Sequence, residues 1–142
     1  MDIERLVDVP DEVVESLGKL MIQLAEDCQP PTKEYLQDIV NSNTYLFVAK
    51  EEGLIIGTFS LVLYKIPTGR KASVEDVVVD VSMRGKQIGE KMIRFALDYA
   101  RAELGVSKVD LTSSPSRIAA NALYQKIGFV KRDTNVYRFQ LK

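Results

Sequence analysis

The sequence predicts a single α/β domain of three layers, with a partly antiparallel sheet between helices. Three observations carry this expectation. Residues 11–24 and 87–104 space their apolar side chains at the helical period. Two runs rich in aromatic and β-branched residues, Tyr45–Lys50 and Leu54–Tyr64, are joined by the short link Glu51-Glu52-Gly53 and read as a hairpin. The stretch Ser73–Val81, with valines at 74, 77, 78, 79 and 81, suits a strand covered on both faces.

In chain order, residues 3–7 alternate weakly and are expected to form a first strand. Pro10-Asp11 opens a helix with Val13, Val14, Leu17, Leu20, Met21 and Leu24 on one face. Pro30-Pro31 closes that region, and a second helix over about 32–42 starts at Thr32, with Glu34 in its first turn. Pro67-Thr68-Gly69 marks a turn after the hairpin.

Gln87–Leu104 is the clearest helix. Its polar stripe is Gln87, Glu90, Lys91, Arg94, Asp98 and Arg101, and Gly105 is its stop. Ser107–Thr112 reads as another strand. Ser114-Pro115 has the form of a helix cap followed by proline at the first helical position, opening a helix that runs to about Lys126 and stops at Gly128. Phe129–Lys131 and Val136–Leu141 are expected to close the chain as strands.

Composition narrows the chemistry. The 142 residues suit one domain, 1–142, and 46 % hydrophobic with 27 % charged residues fits a folded globular chain rather than a disordered one. A net charge of -1 offers no reason to expect nucleic acid as a partner. Met1–Arg5 carries acidic residues and no apolar run, and no stretch approaches the roughly 20 apolar residues of a membrane span, so neither a signal peptide nor a membrane partner is expected. The lone cysteine, Cys28, fits a reducing compartment, and the expected location is cytoplasmic.

There is no histidine. Ser-His-Asp and Cys-His nucleophilic sites are thereby excluded. A zinc site would have only carboxylates and one thiol to draw on, and no metal is expected. Proton transfer falls to carboxylates, tyrosine, lysine, cysteine or water.

The strongest chemical signal is the junction Val79-Asp80-Val81-Ser82-Met83-Arg84-Gly85-Lys86-Gln87-Ile88-Gly89. Two glycines and a basic pair stand where a strand gives way to a helix. Unpaired amides and the positive end of the helix dipole attract phosphate there. Glycine and basic residues at such a turn also serve plain solubility, and spacing alone does not separate the two readings. The spacing fits neither a Walker loop nor a Rossmann fingerprint.

A resemblance separates them. Val77-x-Val79 followed by Arg84-Gly85-Lys86-Gln87-Ile88-Gly89 resembles the acetyl-CoA motif of the GNAT superfamily, Arg/Gln-x-x-Gly-x-Gly/Ala. Arg84 and Gly89 match, and Gln87 stands where the central glycine is usual. With Glu75-Asp76 before it, the segment is similar to the glucosamine-6-phosphate N-acetyltransferase branch, where a non-glycine residue is tolerated at that position. About 35 residues on, Asn121-Ala122-Leu123-Tyr124-Gln125-Lys126-Ile127-Gly128-Phe129 resembles the GNAT helix ending in Leu-Tyr-x-Lys-x-Gly-Phe. The resemblance covers roughly residues 45–142.

The resemblance implies a GNAT-like three-layer fold, its mostly antiparallel mixed sheet splayed at the centre between the strands at Ser73–Val81 and Ser107–Thr112. It implies that the turn amides of Arg84, Gly85, Lys86, Gln87, Ile88 and Gly89 bind the diphosphate of acetyl-CoA, the acyl donor, with Asn121 also on the coenzyme side. Val77, Val78 and Val79 would pair with the pantetheine arm as an added strand does, and an amide near Val77 would polarise the thioester carbonyl.

Tyr124 is the implied acid for the departing thiolate, since a phenol with an ordinary pKa of about 10 keeps its proton at neutral pH. Asn121 lies three residues before it on one helix face, and Arg117 continues that face. Glu75 is the first candidate base for the amine and Asp76 the second, both as substrate-binding residues. Strand alternation sends their side chains to opposite faces. Ordered water or a backbone carbonyl is the alternative acceptor of that proton.

The expected activity is acetyl transfer to a primary amine of a small molecule by direct attack in a ternary complex. Amino sugars, polyamines and amino-acid derivatives are the candidate acceptors, and a homodimer is expected. The alternatives are a protein or peptide N-acetyltransferase and, from another class, a non-catalytic acyl-CoA sensor module.

Overall fold

The computed structural model describes all residues 1–142, which divide into two compact units, 1–112 and 113–142. The first unit holds β1 (Asp2–Arg5), α1 (Asp11–Leu24), α2 (Lys33–Val40), β2 (Thr44–Glu51), β3 (Leu54–Ile66), β4 (Gly69–Val79), α3 (Ile88–Tyr99) and β5 (Val109–Asp110). The second unit holds α4 (Ile118–Ile127) and the chain that follows it.

The sheet order is β1-β2-β3-β4-β5. Neighbours are antiparallel except β4 and β5, which run parallel. Strand alternation in β2 explains the three layers. Leu46 and Val48 join a buried cluster with Val13, Leu17 and Leu20 of α1 and Leu36 and Val40 of α2. Phe47 lies between them, faces the other way and meets Phe95 and Tyr99 of α3 edge-on, at 5.5 and 4.9 Å. The sheet thus carries α1 and α2 on one face and α3 on the other. Burying a side chain such as Leu17 or Leu20 contributes roughly 2–3 kcal/mol to holding α1 in place.

Local signals locate most of these elements. Thr32 caps α2 as expected, its hydroxyl accepting from the Tyr35 amide at 3.1 Å. The β2–β3 link turns through Glu52 and Gly53, both at positive φ, the combination a tight hairpin favours. Gly105, at φ 61°, ends the helical run of α3 after a wider turn over Ala100–Leu104.

Three expectations need correction. The helix expected from Ser114-Pro115 begins at Ile118, because the Ser114 carbonyl closes a turn by accepting from the Arg117 amide at 3.0 Å. The strand expected over Ser107–Thr112 is reduced to Val109–Asp110. Residues 129–142 form no strand, and Val136, Tyr137, Phe139 and Leu141 are exposed. Their β propensity expresses a fit to a pleated neighbour, and no ladder supplies one within this chain.

Candidate functional site

The site is built where β4 ends. Register along β3 changes between Thr58↔Val78 and Ser60↔Glu75, so Asp76 and Val77 together oppose Phe59 alone. This is a β-bulge, and Asp76 occupies the left-handed region at φ 50°. Aspartate tolerates that region better than most residues, but the conformation is still costly and is held by its surroundings. The alternation expected to send Glu75 and Asp76 to opposite faces therefore does not describe this pair. Both side chains are exposed.

The bulge follows directly on the point where the sheet parts. β4 pairs with β5 only at Ala72↔Val109 and Ser73↔Asp110, supported by Ala72 N–H donating to the Lys108 carbonyl at 3.1 Å. From Glu75 to Val79 the β5 side of β4 has no partner strand. β5 is the edge strand of the sheet rather than a central one, and Val77, Val78 and Val79 lie along the edge of β4 left open beyond it. Glu75 is oriented by Ser73, whose buried hydroxyl donates to Glu75 Oε1 at 3.0 Å.

Beyond β4 the chain enters a short helical turn, Val81–Met83, and then the α3 N-terminus. The first amides are already engaged. Asp80 Oδ1 accepts from the Ser82 amide at 2.9 Å and the Ser82 hydroxyl at 2.6 Å, and the Asp80 carbonyl accepts from Met83. These bonds from Ser82, with another from the Gln23 side chain and the nearby Arg84 charge, hold the Asp80 carboxyl below the usual carboxylate range.

The next amides are different. No hydrogen bond within the chain uses those of Gly85, Lys86 or Gln87. Gly85 (φ 83°) and Gln87 (φ 62°) are left-handed on either side of Lys86, an alternation that turns successive N–H groups toward one concavity. The first-turn amides of α3 follow immediately. Nothing lies within 4 Å of where a Cβ on Gly85 would stand, so the chain leaves open space on that side of the glycine. Arg84 turns back, its Nε donating to the Val79 carbonyl at 3.3 Å. A cavity of about 500 Å³ adjoins the turn, lined by Lys86, Ile88 and Lys91 on one side and Glu51 and Glu52 on the other. The turn amides with Lys86 and Lys91 fit a diphosphate, whereas the Glu51 and Glu52 wall of the cavity does not.

Gly57 explains how closely α3 approaches the sheet. A Cβ there would come within 2.9 Å of Met92 Sδ and 3.2 Å of the Val78 carbonyl.

In the second unit, Asn121 and Tyr124 lie on α4, as expected. Asn121 donates from its side-chain amide to the Ser114 carbonyl at 3.0 Å and so braces the turn before the helix. Tyr124 is 8 % exposed, and its ring meets Phe129 edge-on at 5.9 Å. Gly128 ends α4 at φ 126°, its amide and that of Phe129 both returning to the Tyr124 carbonyl.

Sequence reasoning missed Ser73, Asp80 and Gln23. Asp80 three residues before Met83 has the form of a small cap and was legible; Gln23 is 57 residues from its partner and was not.

The family model described as "Acetyltransferase (GNAT) family" matches residues 12–129. Human N-acetyltransferase 8B is 32 % identical over 112 residues, 78 % of this chain and 48 % of that protein. Glucosamine 6-phosphate N-acetyltransferase 1 of Oryza sativa subsp. japonica is 37 % identical over 68 residues, 48 % of this chain and 39 % of that protein. The chain thus spans half or less of the length of these relatives. Among solved structures, an aminoglycoside acetyltransferase from an uncultured soil metagenomic sample superposes with a TM-score of 0.86 at 24 % identity, covering 99 % of this chain and 96 % of that one. The glucosamine-6-phosphate N-acetyltransferase of Arabidopsis thaliana gives 0.76 at 25 % identity, with 97 % of each chain covered.

Proposed function

This chain belongs to the GNAT acetyltransferase family, and on that premise we propose that it transfers an acetyl group from acetyl-CoA to a primary amine of a small molecule. One observation carries the reading. β4 loses its β5 partner after Ser73, and its open edge leads straight into a turn whose amides at Gly85, Lys86 and Gln87 are unengaged. An extended pantetheine arm fits the first feature and a diphosphate the second.

Acetyl-CoA supplies the thioester. The chain supplies position and proton handling. Val77, Val78 and Val79 offer main-chain groups along the open edge, and an amide near Val77 polarises the carbonyl. Arg84, Gly85, Lys86, Gln87, Ile88 and Gly89 form the diphosphate turn, with Asn121 assigned to the coenzyme by its motif. Glu75, held by Ser73, accepts the proton of the incoming ammonium, and Asp76 borders the acceptor. The amine nitrogen then bonds to the carbonyl carbon and the C–S bond breaks, with the proton for the sulfur assigned to Tyr124 by its motif. The products are an N-acetyl amide and free thiol.

The named relatives support amines as a class; amino sugars are the acceptors favoured by the glucosamine-6-phosphate enzymes among them. The proposal treats 1–142 as one acyltransferase domain in the cytoplasm, where the unpaired Cys28 is at home. It includes a homodimer, supported by the exposed Tyr137, Phe139 and Leu141. No helix is long and apolar enough to cross a membrane.

The test is thiol release from acetyl-CoA across a panel of amino sugars, polyamines, amino-acid derivatives and peptides. Release with a small amine supports the proposal. Release with peptides alone favours a protein N-acetyltransferase, and binding of acetyl-CoA with no release by any amine favours a sensor module.

A further inference from the structure

We propose that Gln23, near the end of α1, is a positioning residue for the diphosphate turn. The inference rests on the acyl-CoA reading of that turn. Gln23 Nε2 donates to Asp80 Oδ2 at 3.2 Å, and Gln23 Oε1 accepts from the Val81 amide at 2.9 Å. One side-chain amide therefore spans a carboxylate and the first main-chain N–H of the turn.

Each end has a distinct consequence. The donor end fixes Asp80, whose other oxygen holds the Ser82 amide and hydroxyl. The acceptor end satisfies Val81, so the turn's first amides are tied to the protein and those from Gly85 onward are left for a ligand. Gln23 can do this because its own backbone is fixed: α1 is anchored two turns and one turn earlier by Leu17 and Leu20, both fully buried, whereas Val81 is exposed. A rigid helix on one layer thus sets the shape of an exposed anion-binding bend. Only a side chain with one donor and one acceptor serves both partners at once.

Three variants test this: Gln23→Ala, Gln23→Glu, and the pair Gln23→Glu with Asp80→Asn. The readouts are KM for acetyl-CoA, kcat, acetyl-CoA binding at equilibrium, and hydrogen exchange of the 79–88 segment without ligand. Gln23→Ala is expected to raise KM about tenfold, the effect of losing one charge-assisted hydrogen bond, with a smaller change in kcat and faster exchange in that segment. Gln23→Glu, which sets two carboxylates together, is expected to raise KM further. In the pair, the amide introduced at position 80 donates to the carboxylate introduced at position 23, which still accepts from Val81. KM is then expected to return to within about threefold of the wild type.

If acetyl-CoA binds the wild type and Gln23→Ala leaves both KM and exchange unchanged, the role of Gln23 is overturned and the acyltransferase reading stands. A pair no better than Gln23→Glu alone also overturns it. A wild type that does not bind acetyl-CoA overturns both.

Discussion

The Ser73 hydroxyl donates to Glu75 Oε1 at 3.0 Å, two residues along the same strand and immediately before the β4 bulge. The bond joins a buried hydroxyl to an exposed carboxylate. It turns Glu75 from a solvent-facing charge into a group with a defined direction. On the proposed role of Glu75 as general base, Glu75→Gln is expected to lower kcat by about 100-fold, and Ser73→Ala by about tenfold or less. Steady-state thiol release measures both. Full activity in Glu75→Gln would assign the proton to water or a backbone carbonyl.

Tyr124→Phe keeps the ring that packs on Phe129 and removes only the phenolic hydroxyl. Its turnover is expected to fall by about 100-fold while acetyl-CoA affinity and melting temperature stay close to those of the wild type. Unaltered turnover would remove Tyr124 from the mechanism.

Gln87 holds φ 62° at the start of α3, a conformation that glycine adopts without penalty. Gln87→Gly is expected to change stability by no more than about 1 kcal/mol, because relief of backbone strain offsets the added freedom of the unfolded chain. Acetyl-CoA binding should be retained. A Gln87→Val variant, branched at Cβ, should lose about 1–2 kcal/mol by chemical denaturation.

Gly57→Ala pushes a methyl group toward the Val78 carbonyl and Met92 Sδ. Met92 can swing away, but the backbone at Val78 cannot. The expected cost is about 1–2 kcal/mol, read as a lower denaturation midpoint with an unchanged slope.

Asp80 carries a pH signature. Its carboxyl is held below the usual range, chiefly by the Ser82 hydroxyl and amide. A depressed folded value means that the stabilisation is fully present above the unfolded value of about 3.9 and is lost as pH falls through the folded one. Wild type and Asp80→Asn should therefore differ in stability by a constant amount from neutral pH down to about 4 and converge below it. Parallel curves down to pH 2 would refute the assignment.

Most helices were legible because their signals are local. Thr32 capping α2 and Gly105 and Gly128 ending helices need only neighbours a few residues away. The hairpin announced itself through Glu52-Gly53 for the same reason. The Asp76 bulge was not legible, since a single left-handed residue leaves no mark on strand periodicity. Gln23 and Asp80 meet only because α1 lies on β4, which no local pattern encodes. Ser114-Pro115 misled because a cap sequence and a turn sequence use the same residues, and the Ser114 carbonyl closes a turn instead. At the C-terminus, Tyr137, Phe139 and Leu141 have strand chemistry, but a strand exists only with a partner. The turn at Arg84–Gly89 was readable as a motif; that its later amides are unengaged came only from geometry.

Thermal melting with acetyl-CoA and, separately, ATP is the most direct measurement. At a hundredfold excess over its dissociation constant, acetyl-CoA is predicted to raise the midpoint by about 10 °C, and ATP at the same concentration to raise it far less. No shift with acetyl-CoA, or a larger one with ATP, would contradict a pantetheine-bearing diphosphate lodged between the open edge of β4 and the bend at Gly85.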